Sequence, residues 1–245
     1  LDELGLKTPE FTIKPYYSTT FHPLDVKKVM IHLRNEYKKY QAHQTTFKTF
    51  ATNVLGEKTY KQFLLSAGYT DFEQEDAYDT LYHYGMEDNY CCSTGFNVPW
   101  RKMVLKLADE IGESHFKFSS NVSKLTKTND MPCEFVIDTE GGKKYTCNKV
   151  IIATTITGIR KLLPNPIYND IEGQSFLRLY GKFSKQSIPI MKEYVKGYTF
   201  LPGPLQKILP ISPDAGIYMI AYNDNNNALA LKNNLENTKD NRDMY

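Results

Sequence analysis

The most informative pattern runs from Phe116 to Thr155, FKFSSNVSKLTKTNDMPCEFVIDTEGGKKYTCNKVIIATT. In its middle, Cys133, Phe135 and Ile137 alternate with Glu134, Val136 and Asp138, the two-residue period of a strand. Glu140, Gly141, Gly142 and Lys143 then supply the residues of a tight hairpin. The spacing predicts a strand over Phe116–Leu125 and a meander whose last member is Val150–Ala153. That last run is apolar and β-branched without a break, the pattern of a strand covered on both faces, as in a parallel α/β sheet. Upstream, Pro99 to Ile111 reads as a helix. Pro99 sits near its start, Met103, Leu107 and Ile111 recur at four-residue steps, and Gly112 is placed to end it.

Helical periodicity dominates the first third of the chain. Asp25 can cap a helix in which Val26, Val29, Met30, Leu33 and Tyr37 share a face and Lys27, Lys28, Arg34 and Lys38 keep the other in solvent. Thr45–Leu55 and a stretch through Tyr60, Phe63, Leu64 and Ala67 give two more helices, stopped by Gly56 and Gly68. Before them, FTIKPYYSTTF (Phe11–Phe21) is aromatic and β-branched, an edge strand or a groove-following loop broken by Pro15. After them, Asp71, Glu73, Glu75, Asp76 and Asp79 read as an acidic helix start, since a calcium loop needs a central Gly and a closing Glu that are missing here. Tyr82, His83, Tyr84, Met86 and Tyr90 form an aromatic cluster that either lines a cavity or, the favoured reading, packs that helical part.

The last third returns to strand patterning. A short helix over Thr157–Pro164 precedes Ser175–Phe183, where Phe176, Arg178, Tyr180 and Lys182 share one face, two of them cations. Tyr198–Phe200, Ile208–Ile211 and Gly216–Tyr222 are short strands punctuated by prolines. Asn223–Asn227 reads as a polar loop and Leu229–Leu235 as a helix.

Composition narrows the function classes. At 245 residues with 41% hydrophobic residues the chain can bury a substantial core, and a net charge of +2 gives no global field that would draw it onto nucleic acid. No apolar run is long enough for a membrane span, and Leu1–Leu4 does not resemble a signal peptide, so the expectation is a soluble, cytoplasmic protein. A start without Met suggests a processed product or a piece of something longer. Cys91, Cys92, Cys133 and Cys147 lack zinc-ligand spacing and are expected to be reduced thiols. None of His22, His32, His43, His83 or His115 stands at motif spacing from a nucleophile, and no hydrolase or metalloprotease signature is present.

These landmarks, in this order, resemble the central part of the flavin-containing amine oxidase family, the FAD-dependent group of monoamine and polyamine oxidases. The likeness runs from Leu4-Gly5-Leu6 through helix Pro99–Ile111, strand Phe116–Leu125 and Lys149–Thr155 to Gly173–Ser184. It implies an α/β (mixed α+β) fold: a substrate-binding domain from residues 1–92 and 158–245, and at 93–157 part of an FAD-binding domain carrying a three-stranded β-meander. It implies hydride transfer from an amine-type small molecule to FAD in the full-length parent. The alternative is a non-catalytic binding or scaffold protein that retains the fold. The resemblance places the adenine of FAD over the stretch at Asn121-Val122 and near the turn at Ala153 and Thr154. It places Arg178, or in the alternative register Lys182, where many relatives carry a lysine beside the flavin. An Arg there stays charged and cannot relay a proton at neutral pH. The family's glycine-rich GxGxxG turn and its C-terminal flavin-contacting segment have no counterpart in these residues, so FAD binding by the 245 residues alone is expected to be weak or absent.

Overall fold

Asp25 and Thr46 open the first two helices in the same way. Each side-chain oxygen accepts a backbone N–H three residues on, from Lys28 at 3.1 Å and from Thr49 at 3.2 Å, satisfying a donor that a first turn otherwise leaves unpaired. The computed structural model describes residues 1–18, 21–39, 44–86, 93–128 and 134–244. In chain order the helical part comprises strands β1 (Glu10–Ile13) and β2 (Pro15–Tyr17), helices α1 (Val26–Tyr37), α2 (Phe47–Leu55), α3 (Glu57–Ala67) and α4 (Ala77–Tyr82), and strand β3 (Ser93–Phe96). The middle holds α5 (Trp100–Ile111), β4 (Val122–Lys127), β5 (Phe135–Thr139), β6 (Lys144–Cys147) and α6 (Ile156–Leu162). The last part holds β7 (Phe176–Lys182), α7 (Ile188–Tyr194), β8 (Tyr198–Phe200), β9 (Lys207–Ser212), β10 (Ile217–Asp224), α8 (Asn225–Leu231) and α9 (Lys239–Met244). His43, Tyr90, Cys91, Cys92 and Cys133 lie outside the described residues; Cys147 is a free, half-buried thiol.

The chain divides into two compact units, Leu1–Thr8 with Val98–Gly173, and Pro9–Asn97 with Gln174–Tyr245. The divisions therefore fall near residues 8, 97 and 173, not at the expected 92 and 157. Arg160 on α6 donates to the carbonyl of Tyr168 at 2.8 Å and also reaches those of Asn169 and Ile171, which holds the chain up to Gly173 against the smaller unit. Lys106 on α5 does the same for the N-terminal residues by donating to the Leu4 carbonyl.

In the larger unit, the predicted apolar faces meet. Met30 and Leu33 from α1, Phe47 and Phe50 from α2, Phe63 from α3 and Phe72 are all fully buried, with the Phe47 and Phe72 rings edge-on at 5.2 Å. Arg34 departs from its expected place in solvent, because its Nε donates to the Leu81 carbonyl at 2.6 Å, on α4. The acidic stretch is absorbed by local bonds. Asp76 accepts from the Tyr78 and Asp79 backbone N–H groups, Glu73 is buried with Tyr60 Oη and Lys48 Nζ both at 3.2 Å, and Tyr84 Oη donates to Asp71 at 2.6 Å. The five-stranded sheet runs β2-β8-β9-β10-β7, with β2 parallel to β8 and the other pairs antiparallel. Asn223 and Asp224, read as loop, end β10, and Asn225–Asn227 form the first turn of α8.

Gly68 locks helix to sheet in this unit. It ends α3 at φ +65°, and a Cβ there would sit 1.9 Å from Cε1 of Phe200, whose buried ring stacks on Tyr17 at 5.2 Å. Gly68→Ala adds a left-handed penalty of roughly 1–2 kcal/mol to the cost of displacing that ring. A loss of about 3 kcal/mol is expected, read as a lower urea midpoint with unchanged slope; a change below 1 kcal/mol would show that the ring moves freely.

In the smaller unit, β4, β5 and β6 form the three-stranded antiparallel meander, with the β5–β6 turn closed by Thr139, whose backbone N–H and Oγ1 both donate to the Lys143 carbonyl at 3.0 Å. Its first strand starts at Val122, not Phe116. The Val150–Ala153 run forms no strand, a correction to the sequence reading. No backbone hydrogen bond among the described residues involves 150–153, and Ile151 is 93% exposed. A fully covered strand needs ladder partners on its flanks, and a β-branched sequence cannot supply them by itself. Helix α5 likewise keeps its amphipathic pattern with none of its residues buried.

Candidate functional site

The side chains singled out in the sequence gather in two places. In the smaller unit, Val122, Ala153 and Thr154 line one cavity of about 540 Å³, between the open edge of β4, the 150–154 segment and α6. Its lining is apolar at Leu125, Ile137, Val150, Ile152 and Leu162. The 150–153 segment, whose backbone makes no hydrogen bond among the described residues, forms part of the same wall, so the site joins an apolar slab to a segment with backbone donors and acceptors to offer. That combination suits a flat heteroaromatic ring, which stacks on apolar side chains and is read at its edge by N–H and C=O groups. The approach of α6 depends on Gly158, because a Cβ there would lie 2.3 Å from Thr154 Oγ1.

Arg178 belongs to the larger unit. It lies on β7 opposite Tyr222 of β10, with its guanidinium carbon 5.0 Å from the Phe176 ring centroid and 5.1 Å from that of Tyr222. The alternation of Phe176, Arg178, Tyr180 and Lys182 on one exposed face is as the period-two reading has it. The guanidinium has no ion-pair or hydrogen-bond partner among the described residues, which leaves its planar fork available to an anionic group.

Beside it lies a cluster that the sequence reading missed. Lys207 is 1% exposed, with Nζ 3.2 Å from the Tyr69 ring centroid and 4.4 Å from that of Tyr222. Burial pushes its ammonium down to about 7, while the carboxylates of Asp224 and Asp71 pull the other way. Burial also raises the Tyr69 phenol above the usual tyrosine range, reinforced by its neighbours Tyr222 and Tyr198. Asp224 accepts from the Thr70 backbone N–H at 3.1 Å, the Thr70 hydroxyl at 2.5 Å and Gln206 Nε2 at 3.2 Å. Tyr69, Asp71, Lys207, Tyr222 and Asp224 line a cavity of about 140 Å³ with Phe176 and Asn223. A signal was available. Lys207 and Leu209 sit two apart and share the buried face of β9, so starting the strand one residue earlier than Ile208 puts a lysine inward.

No protein-family model and no curated protein matches the chain. Among solved structures, a putrescine oxidase whose cofactor binding was redesigned in a triple mutant matches with a TM-score of 0.69 at 15% identity, over 99% of this chain. The fold is amine-oxidase-like. The chain spans 64% of that protein's length. The mixed α/β architecture with several sheets expected from the sequence is the one observed. Among the described residues no helix is long and apolar enough to cross a membrane.

Proposed function

We propose that these residues form the central part of an FAD-dependent oxidoreductase that acts on an amine-type small molecule. The observation that carries this reading is the amine-oxidase-like fold, which extends over 99% of the chain. When bound, FAD would supply the hydride-accepting chemistry. The chain's own part is to bind and orient. The 150–153 backbone, with Val122, Ala153 and Thr154, would hold the adenine end, where the apolar slab and the unpaired backbone groups fit such a ring. The larger unit would receive the amine, and Arg178 would hold an anionic group by a bidentate pair.

The test is an absorption spectrum of the protein purified from its natural source with whatever sequence flanks these residues. Flavin bands that bleach anaerobically with putrescine or another primary amine are the expected result. A colourless protein, or flavin bands that no amine bleaches, would sink this reading in favour of a binding protein that keeps the fold. In the same protein Arg178→Met keeps bulk and deletes charge. If the charge contributes ~3 kcal/mol in the transition state, turnover falls on the order of 10²-fold. Unchanged rates in both half-reactions would assign Arg178 to stacking on Phe176 and Tyr222 alone.

A further inference from the structure

We propose that Lys207 is a nucleophilic amine that captures small aldehydes as imines in the cavity formed by Tyr69, Asp71, Phe176, Tyr222, Asn223 and Asp224. The proposal does not depend on the oxidoreductase reading.

The polar groups of the cavity select the ligand's chemistry. Lys207 is almost wholly enclosed, yet it has no hydrogen bond or ion pair among the described residues, and its nearest partners are the faces of Tyr69 and Tyr222. A lysine serving only as a counter-ion would sit within 4 Å of a carboxylate oxygen, and neither Asp71 nor Asp224 comes that close. Those two carboxylates line the cavity and repel an anion, so a phosphate or carboxylate ligand is disfavoured. A free cation would have to displace the Lys207 amine from the same ring faces, so the ligand is a neutral electrophile. The space, about 140 Å³, is close to the ~150 Å³ that holds one benzene ring in an engineered protein interior, which limits the ligand to about six heavy atoms.

Asn223 supplies the second observation. It is 1% exposed and lines the cavity; its Nδ2 is committed to the Pro204 carbonyl, and its Oδ1 has no partner among the described residues. A buried acceptor without a donor is costly, and a hydroxyl that reached it would remove that cost. Addition of an amine to an aldehyde creates such a hydroxyl. The Lys207 nitrogen lone pair forms the C–N bond, the carbonyl π pair moves to oxygen, and the proton lost by nitrogen ends on that oxygen to give a carbinolamine. The hydroxyl then leaves as water as C=N forms. The sum is aldehyde plus amine to imine plus water, with no oxidant or reductant. The protonated imine is a cation, and it would remain between two ring faces and near Asp71 and Asp224, where a cation is favoured. The lowering of Lys207 to about 7 adds that a large share of this amine is uncharged at neutral pH. A surface lysine of ordinary pKa is uncharged in only about one molecule in 10³.

Butanal with sodium cyanoborohydride at pH 7 tests the proposal on the full 245-residue chain, because reduction fixes any imine as a butyl-lysine that peptide mass mapping locates. Lys207 is expected to carry the label first, at least 10-fold faster than any other lysine, with a rate that climbs through pH 7 and then levels. Lys207→Met should remove the fast phase and leave slow surface labelling intact. The wild-type peptide map decides the matter even if that variant fails to fold. Labelling of surface lysines with Lys207 unmodified, or modified no faster than they are, would overturn the proposal.

Discussion

Replacing Lys207 by Met stabilises the larger unit at pH 6, and the gain disappears as the pH approaches 10. The folded state holds this amine down to about 7, against 10.5 for a lysine in the open chain, mainly by burial. Below pH 7 the ammonium is charged in both states, so folding carries the whole desolvation cost, on the order of 5 kcal/mol for a shift of this size. Between about 7 and 10.5 the unfolded chain binds the proton and the folded chain does not, so wild-type stability rises with pH. Above that window Lys207 is neutral in both states and contributes nothing further. The tyrosines act in the opposite sense. Tyr60 and Tyr69 are held above their ordinary value, first by burial, so the unfolded chain loses those protons earlier and stability falls once the pH passes about 10. The wild type should therefore be most stable near pH 10, and Lys207→Met should show a flatter profile. Hydrogen exchange of the β9 and β10 amides across pH 6–10, corrected for intrinsic rates, reads the difference. Parallel profiles in the two proteins would mean that Lys207 titrates as a surface lysine.

The larger unit was legible where one period governed a whole element. Val26, Met30 and Leu33 recur at helical steps and are buried together, and Asp25 caps the helix they lie on. The hairpin at Glu140–Lys143 was legible for a different reason: turn chemistry is local, and Gly142 takes φ +75° there. The smaller unit was less legible because its apolar patterns describe faces, not what covers them. Val150–Ala153 and α5 carry the periodicities of buried elements, yet Ile151 is 93% exposed and Trp100 66%. The cavity at Val122, Ala153 and Thr154 came from resemblance and not from periodicity, since a backbone contact leaves no mark on side-chain type. The Lys207 cluster escaped for yet another reason. Its members, Tyr69, Asp71, Lys207, Tyr222 and Asp224, are scattered over 156 positions of sequence, and only the register of β9 and β10 against the turn after α3 assembles them. Prolines at 202, 204 and 210 made that part of the sequence read as punctuation, though Pro204 offers the carbonyl that orients Asn223.

Asp224→Ala should be the most damaging single change at this cluster. The carboxylate collects the Thr70 backbone N–H, the Thr70 hydroxyl and Gln206 Nε2, and the Asp224 backbone N–H donates in return to Gln206 Oε1 at 3.3 Å. Asn225 adds a bond from its side chain to the Thr70 carbonyl at 2.8 Å, so the end of β10 and the turn after α3 are tied by side chains more than 150 residues apart in sequence. Truncation removes one acceptor and strands three donors in a largely buried place, where each unpaired group costs ~1–3 kcal/mol. A loss of about 3–5 kcal/mol is expected, allowing for water entering the gap. Asp224→Asn keeps one acceptor oxygen and should lose roughly half as much. A second consequence separates this from simple loss of packing. The Asp224 charge favours the protonated form of Lys207, so its removal should carry that amine still further below its ordinary value. Urea denaturation gives the first quantity, and the pH midpoint of Lys207 labelling by butanal gives the second. A variant that loses stability while the Lys207 midpoint stays fixed would show that Asp224 acts on the fold alone and that the amine is set by burial among the rings of Tyr69 and Tyr222.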